Sequence, residues 1–123
     1  MAESIADLVT VAANAADAKQ GQDTVVLEVG DVLAITDYFV ITSASNPRAV
    51  KTIGEEIEAQ VAEASGARPT SIEGLDDLRW VLLDYSGFVV HVFLEETRRY
   101  YDLERLWADV PRLDWAGQAA RSV

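Results

Sequence analysis

The chain has 123 residues, enough for one domain that buries about two thirds of the surface its unfolded form exposes. It has no cysteine, which removes disulfide scaffolds, thiol catalysis and cysteine-based zinc sites from consideration. With 21 acidic against 10 basic side chains the formal net charge is −11; this repels phosphate backbones, disfavours broad or sequence-specific nucleic-acid binding, and makes a basic protein the better electrostatic match.

The N-terminus holds Glu3, Asp7 and Asp17 and has neither a basic start nor a continuous apolar stretch, so it does not read as a secretion signal. No apolar run reaches the roughly 20 residues that a membrane-crossing helix takes. A cytoplasmic protein with no membrane partner is therefore expected.

In chain order, residues 4–19 come first: Ile5, Leu8, Val9, Ala12 and Ala16 recur at helical spacing, Ser4 is placed to cap, and Gly21 lies just beyond the end. Residues 24–29 are β-branched and partly alternating, the pattern of a strand, with Gly30 and Asp31 supplying the turn. Residues 38–42 are nearly all apolar, as in a strand covered on both faces. Asn46 then caps a helix with Pro47 in its first position; Val50, Ile53, Ile57 and Val61 form the inner face, and Gly66 marks the end. Lys51, Glu55, Glu56, Glu58 and Glu63 make its solvated face. Residues 68–73 predict a short edge strand, since Pro69 has no amide to donate. The stretch "WVLLDYSGFVVHVF", residues 80–93, reads as a hairpin around Ser86 and Gly87. Residues 96–107 return to helical spacing, with Tyr100, Leu103 and Trp107 on one side and Pro111 ending the helix.

The order helix, strand, strand, helix, strand, strand, strand, helix predicts a mixed α/β fold with a sheet of about five strands. Residues 1–111 form one domain in this reading and residues 112–123 a flexible tail.

A two-residue turn at Ser86 and Gly87 pairs Asp84 with Val89, Leu82 with His91 and Trp80 with Phe93. Alternation then puts Val81, Leu83, Tyr85, Phe88, Val90 and Val92 on a core face, and Trp80, Leu82, Asp84, Val89, His91 and Phe93 on the other. On that second face Asp84 lies diagonally from His91, the chain's only histidine, within reach of a side-chain hydrogen bond. Three readings stand side by side. The pair could run acid–base chemistry, although no serine or cysteine nucleophile and no second histidine accompanies it. His91 could be a satisfied histidine beneath a covering helix. Or the face, anchored by Trp80 and Phe93, could dock a protein. If His91 sits neutral against Trp80 in such a complex, affinity should fall below about pH 6.5.

Other chemistry is thin. There is no glycine-rich phosphate loop and no metal-spaced histidine pair, and Asp76 and Asp77 are adjacent, which points their carboxylates apart. No catalytic, cofactor-binding or metal-binding residue is assigned, and no cofactor is expected. A nucleotidyl transferase on an eroded site and a general interaction module remain as alternatives.

Three segments, "DYFVITSASNPRAVKTI" (37–53), "WVLLDYSGFVVHVF" (80–93) and "RRYYDLERLW" (98–107), together resemble the ribosomal silencing factor family, also called the Iojap or RsfS family. The likeness runs from the first helix to about Pro111 and leaves out the last dozen residues. It implies a nucleotidyltransferase-like fold without the metal-binding acids, a homodimer when free, and a translation repressor rather than an enzyme. Such a repressor binds the large ribosomal subunit through its ribosomal protein fourteen and sterically blocks the small subunit, slowing translation in starvation or stationary phase. Matching positions are Asp37, Tyr38, Trp80, Asp84, Tyr85, His91, Phe93, Arg98, Tyr100 and Tyr101. The hairpin count selects Trp80, Leu82, Asp84, His91 and Phe93 for partner binding; Asp37, Tyr38, Arg98, Tyr100 and Tyr101 are secondary candidates, and Tyr85 goes to the core. Arg98 and Arg99 are expected to pair with Glu95, Glu96 or Asp102 at a solvated helix start.

Overall fold

The computed structural model describes residues 4–116, and its first helix, α1 (Ile5–Ala18), is set by the residues that open it. Ser4 Oγ accepts the Asp7 amide at 3.1 Å while Asp7 reaches back to the Ser4 amide, so two helix-end donors are satisfied reciprocally. Leu8, Val9, Ala12, Ala13, Ala15 and Ala16 are buried, and the small alanine side chains let the helix lie close to its neighbours. A second helix, α2 (Pro47–Ser65), has Asn46 accepting the Ala49 amide at 2.8 Å and Pro47 in its first turn. It ends at Gly66 with φ +79°, a left-handed cap that glycine adopts without a Cβ clash.

Five strands, β1 (Gln22–Glu28), β2 (Tyr38–Ala44), β3 (Ser71–Glu73), β4 (Trp80–Asp84) and β5 (Phe88–Leu94), form one mixed sheet in the order β1-β2-β5-β4-β3. Only the central pair, β2 with β5, is parallel. Both central strands are buried nearly throughout, which is why residues 38–42 read as a run without alternation. The hairpin register is the one counted from its turn: Trp80 opposite Phe93, Leu82 opposite His91, Asp84 opposite Val89. Ser86 takes φ +72° to close it.

On one face of the sheet α1 and α2 pack over Val81, Leu83, Phe88, Val90 and Val92, with Tyr85 stacked on Phe88 at 4.6 Å. That is the predicted core face, and each of these side chains is buried. The opposite face holds a smaller cluster built on Leu27, Val29, Phe39, Ile41 and Phe93.

Two expectations change after β5. Residues 96–107 are not one helix: α3 (Glu95–Tyr101) stops at Asp102, which adopts φ 47°, and α4 (Leu103–Leu106) starts in a new direction. Tyr100, Leu103 and Trp107 therefore do not share a face; Tyr100 is 81% exposed, while Leu103 and Trp107 pack on the smaller cluster. The expected flexible tail does not begin at Arg112 either. The Glu28 amide donates to the Pro111 carbonyl at 2.9 Å, the Leu113 amide to Val26 at 2.9 Å, and Trp115 Nε1 to Thr24 at 3.0 Å, so residues 111–115 run along the outer edge of β1. The remainder of the predicted tail, residues 117–123, lies outside the described residues.

Candidate docking face

The second sheet face divides into a covered half and an open half. Leu33, Leu103, Trp107 and Val110 lie over the β1, β2 and β5 portion, closing it from water. Towards β4, Trp80, Leu82, Asp84 and Val89 are partly exposed. Of the residues predicted to bind a partner, Trp80, Leu82 and Asp84 thus reach the surface, whereas His91 (5% exposed) and Phe93 (0%) are beneath it.

His91 and Phe93 hold Trp80 in place. The indole Nε1–H donates to His91 Nδ1 at 3.0 Å, and the indole ring stacks on Phe93 at 4.8 Å. With Nδ1 accepting, the ring proton of the neutral imidazole belongs on Nε2, which is buried with no hydrogen-bond partner. Phe39 meets the imidazole edge-on at 4.8 Å, and burial alone pushes the His91 pKa down to about 4. The imidazole is consequently neutral throughout the physiological range, and the expected loss of affinity below about pH 6.5 is displaced towards pH 4.

The predicted contact between Asp84 and His91 does not form. Leu82 stands opposite His91, so both Trp80 and Asp84 are its diagonal neighbours, and the indole takes the acceptor nitrogen. Asp84 Oδ1 instead accepts the Ser86 amide at 2.9 Å, which the turn would otherwise leave without a partner. No acid–histidine couple remains to run proton transfer. Among the described residues no three Asp, Glu or His side chains converge as metal ligands.

The secondary candidates separate. Asp37 and Tyr38 sit beside Phe88, at the far end of β5 from Trp80, and line a different cleft of ≈ 290 Å³ with Glu28 and Asp31. Asp37 serves the β1–β2 turn through its main chain, its carbonyl accepting the Val29 and Gly30 amides. Burial, with Glu28 and Asp37 adding repulsion, raises the Tyr38 pKa. Tyr100 and Tyr101 join the Trp80 end: Tyr101 lies 5.0 Å from the indole and 5.0 Å from Tyr100.

Arg98 is the largest departure from its expected solvated role. Only 8% exposed, it donates to the Gln22 and Asp23 carbonyls at 2.9 and 2.7 Å, to Ser43 Oγ at 3.0 Å, and through two nitrogens to Glu104. It clamps α4 to the start of β1 and the end of β2. Arg99 behaves as predicted, pairing with Glu95 at 3.0 Å on the surface. The Glu104 partnership escaped the sequence because no local rule links residues six apart. Leu33 and Trp107 escaped as covers of the second face because their contacts are to distant strands.

Fold and site together define an acidic, mixed-sheet α/β domain whose distinctive surface is an aromatic patch at one end of a sheet face, carried on β4 and α3. The chain belongs to the ribosomal silencing factor family: the family profile described as "Ribosomal silencing factor during starvation" matches residues 2–122, including all but one of the last dozen residues that the sequence resemblance left out. A Bacillus subtilis relative named ribosomal silencing factor RsfS is 38% identical, with 87% of this chain and 90% of the relative covered. A crystal structure of a Chromobacterium violaceum protein superposes with a TM-score of 0.82 at 28% identity, covering 86% of this chain and 88% of that one. Another, from Bacillus halodurans, gives a TM-score of 0.75 at 34% identity over 89% of this chain and 98% of that one.

Proposed function

We propose that this protein represses translation by binding the large ribosomal subunit through its ribosomal protein fourteen and sterically preventing the small subunit from joining, slowing synthesis when nutrients are scarce. Family membership supports the ribosomal role. The observation that carries docking over chemistry is the Trp80 patch: a rigid, partly exposed aromatic surface on a chain of net charge −11, suited to a basic protein partner. The protein acts in the cytoplasm, as a homodimer when free, and needs no cofactor. Among the described residues no helix is long and apolar enough to cross a membrane.

Sedimentation tests this reading. Purified protein should travel with large subunits through a sucrose gradient and reduce the peak of joined ribosomes; a protein left at the top of the gradient, with joining unchanged, would overturn it. Trp80→Ala should weaken co-sedimentation about tenfold or more, the usual scale for truncating an aromatic anchor.

A further inference from the structure

Between the start of β4 and α3 lies a groove of ≈ 700 Å³ whose wall is aromatic and whose rim is charged. Trp80, Tyr101 and Tyr100 follow one another at centroid spacings of 5.0 Å, tilted by 47° and then 89°, so the groove is faced by ring planes set at different angles. The two tyrosines are 53% and 81% exposed, an unusual outlay of aromatic surface on a helix of seven residues. Asp77 and Glu96 line the same groove, and so does Arg79, leaving its acids in a two-to-one majority.

We infer that this groove receives a guanidinium or ammonium side chain from the docked protein. The reading rests on the docking function above and names the chemistry of one contact within it. Ring faces set at angles attract a cation through their quadrupoles, and flanking carboxylates offer it charge-assisted hydrogen bonds. The platform is preorganised: Trp80 is fixed by His91 and Phe93 behind it, so little rotamer freedom is lost on binding. The imidazole behind the indole accepts its N–H and is uncharged, so it does not oppose an incoming cation. The chain's net charge of −11 favours the same occupant at long range.

The test has two arms. In the first, the Trp80 indole resonance is followed by NMR while an arginine-containing tripeptide, or the same peptide with neutral citrulline, is titrated into the whole protein. The arginine peptide should shift the resonance saturably and the citrulline peptide should not; equal shifts would overturn the inference. In the second, Tyr100→Leu and Tyr101→Leu, which keep apolar bulk and remove the ring, should each weaken binding to large subunits about threefold to tenfold, while Arg79→Gln should tighten it. Unchanged binding by both tyrosine variants would overturn the cation site while leaving ribosome binding intact. Weaker binding by Arg79→Gln would also overturn it, marking the occupant as an anion such as an RNA phosphate. A protein that ignores ribosomes yet still distinguishes the arginine from the citrulline peptide would sink the proposed function and keep the site.

Discussion

Protonating His91 is an unfolding reaction in miniature, since the imidazole is 5% exposed and its pKa is depressed from 6.5 to about 4. The unfolded chain binds this proton more readily, so the stabilisation is fully present above pH 6.5 and is lost as pH falls towards 4. The size is on the order of 3 kcal/mol. Urea midpoints should therefore drop between pH 6.5 and 4.5 in the parent protein and drop less in His91→Gln; parallel curves would refute the burial argument. Arg98 gives a second forecast. Arg98→Ala strands the Gln22 and Asp23 carbonyls and Glu104, and should destabilise by about 3 kcal/mol. Glu104→Gln leaves the guanidinium its carbonyl and hydroxyl acceptors at a partly exposed position and should cost about 1 kcal/mol. Equal losses in denaturant titrations would show that the ion pair, and not the carbonyl clamp, dominates.

At the scale of elements, the break between α3 and α4 is what makes that clamp possible. In a continuous helix, side chains six residues apart point about 120° away from each other, so Arg98 and Glu104 meet only because Asp102 turns the chain at φ 47°. Asp102→Gly should be neutral or stabilise by up to about 1 kcal/mol, and Asp102→Ala should destabilise by a similar amount, because alanine favours continuing the helix. Thermal midpoints that rank alanine above glycine would contradict the requirement for a left-handed residue. The segment following α4 supports another expectation: the amides of Glu28 and Leu113 should be protected in hydrogen exchange, since each donates across the edge of β1. Free-chain exchange at Leu113 would mean the segment is undocked.

At the scale of the whole molecule, the charge of −11 belongs to association kinetics more than to the fold. On the proposed function, raising salt from 50 to 500 mM should slow association with the large subunit by roughly tenfold and change dissociation much less, as stopped-flow mixing would read. The same scale shows how far the sequence could be read. The capped helices, the buried strand β2 and the hairpin register were legible because each is written in neighbouring residues: Ser4 ahead of Ile5, Asn46 with Pro47, Ser86 with Gly87. Trp80 and Leu82 were placed on the correct face by counting alone. What escaped depends on residues far apart in the chain. Arg98 meets Gln22, Asp23 and Ser43 across more than fifty residues, and Trp115 meets Thr24 across 91. The partner of His91 was a choice between two equivalent diagonals, which periodicity cannot rank.

The parallel pairing at the centre of the sheet also sets the order of assembly. Tyr38 is matched with Phe88, and Ala44 with Leu94, so the middle of the sheet joins strands that emerge from synthesis far apart. The β1–β2 and β4–β5 hairpins can close locally, but loop entropy opposes their union until β5 has been made. A nascent chain lacking Phe88, Val90 and Val92 has no surface on which α1 and α2 can complete their core. A shorter chain can hold its helices only loosely, so the ribosome must release the chain through β5 before the protein can fold and take hold of a ribosome in turn.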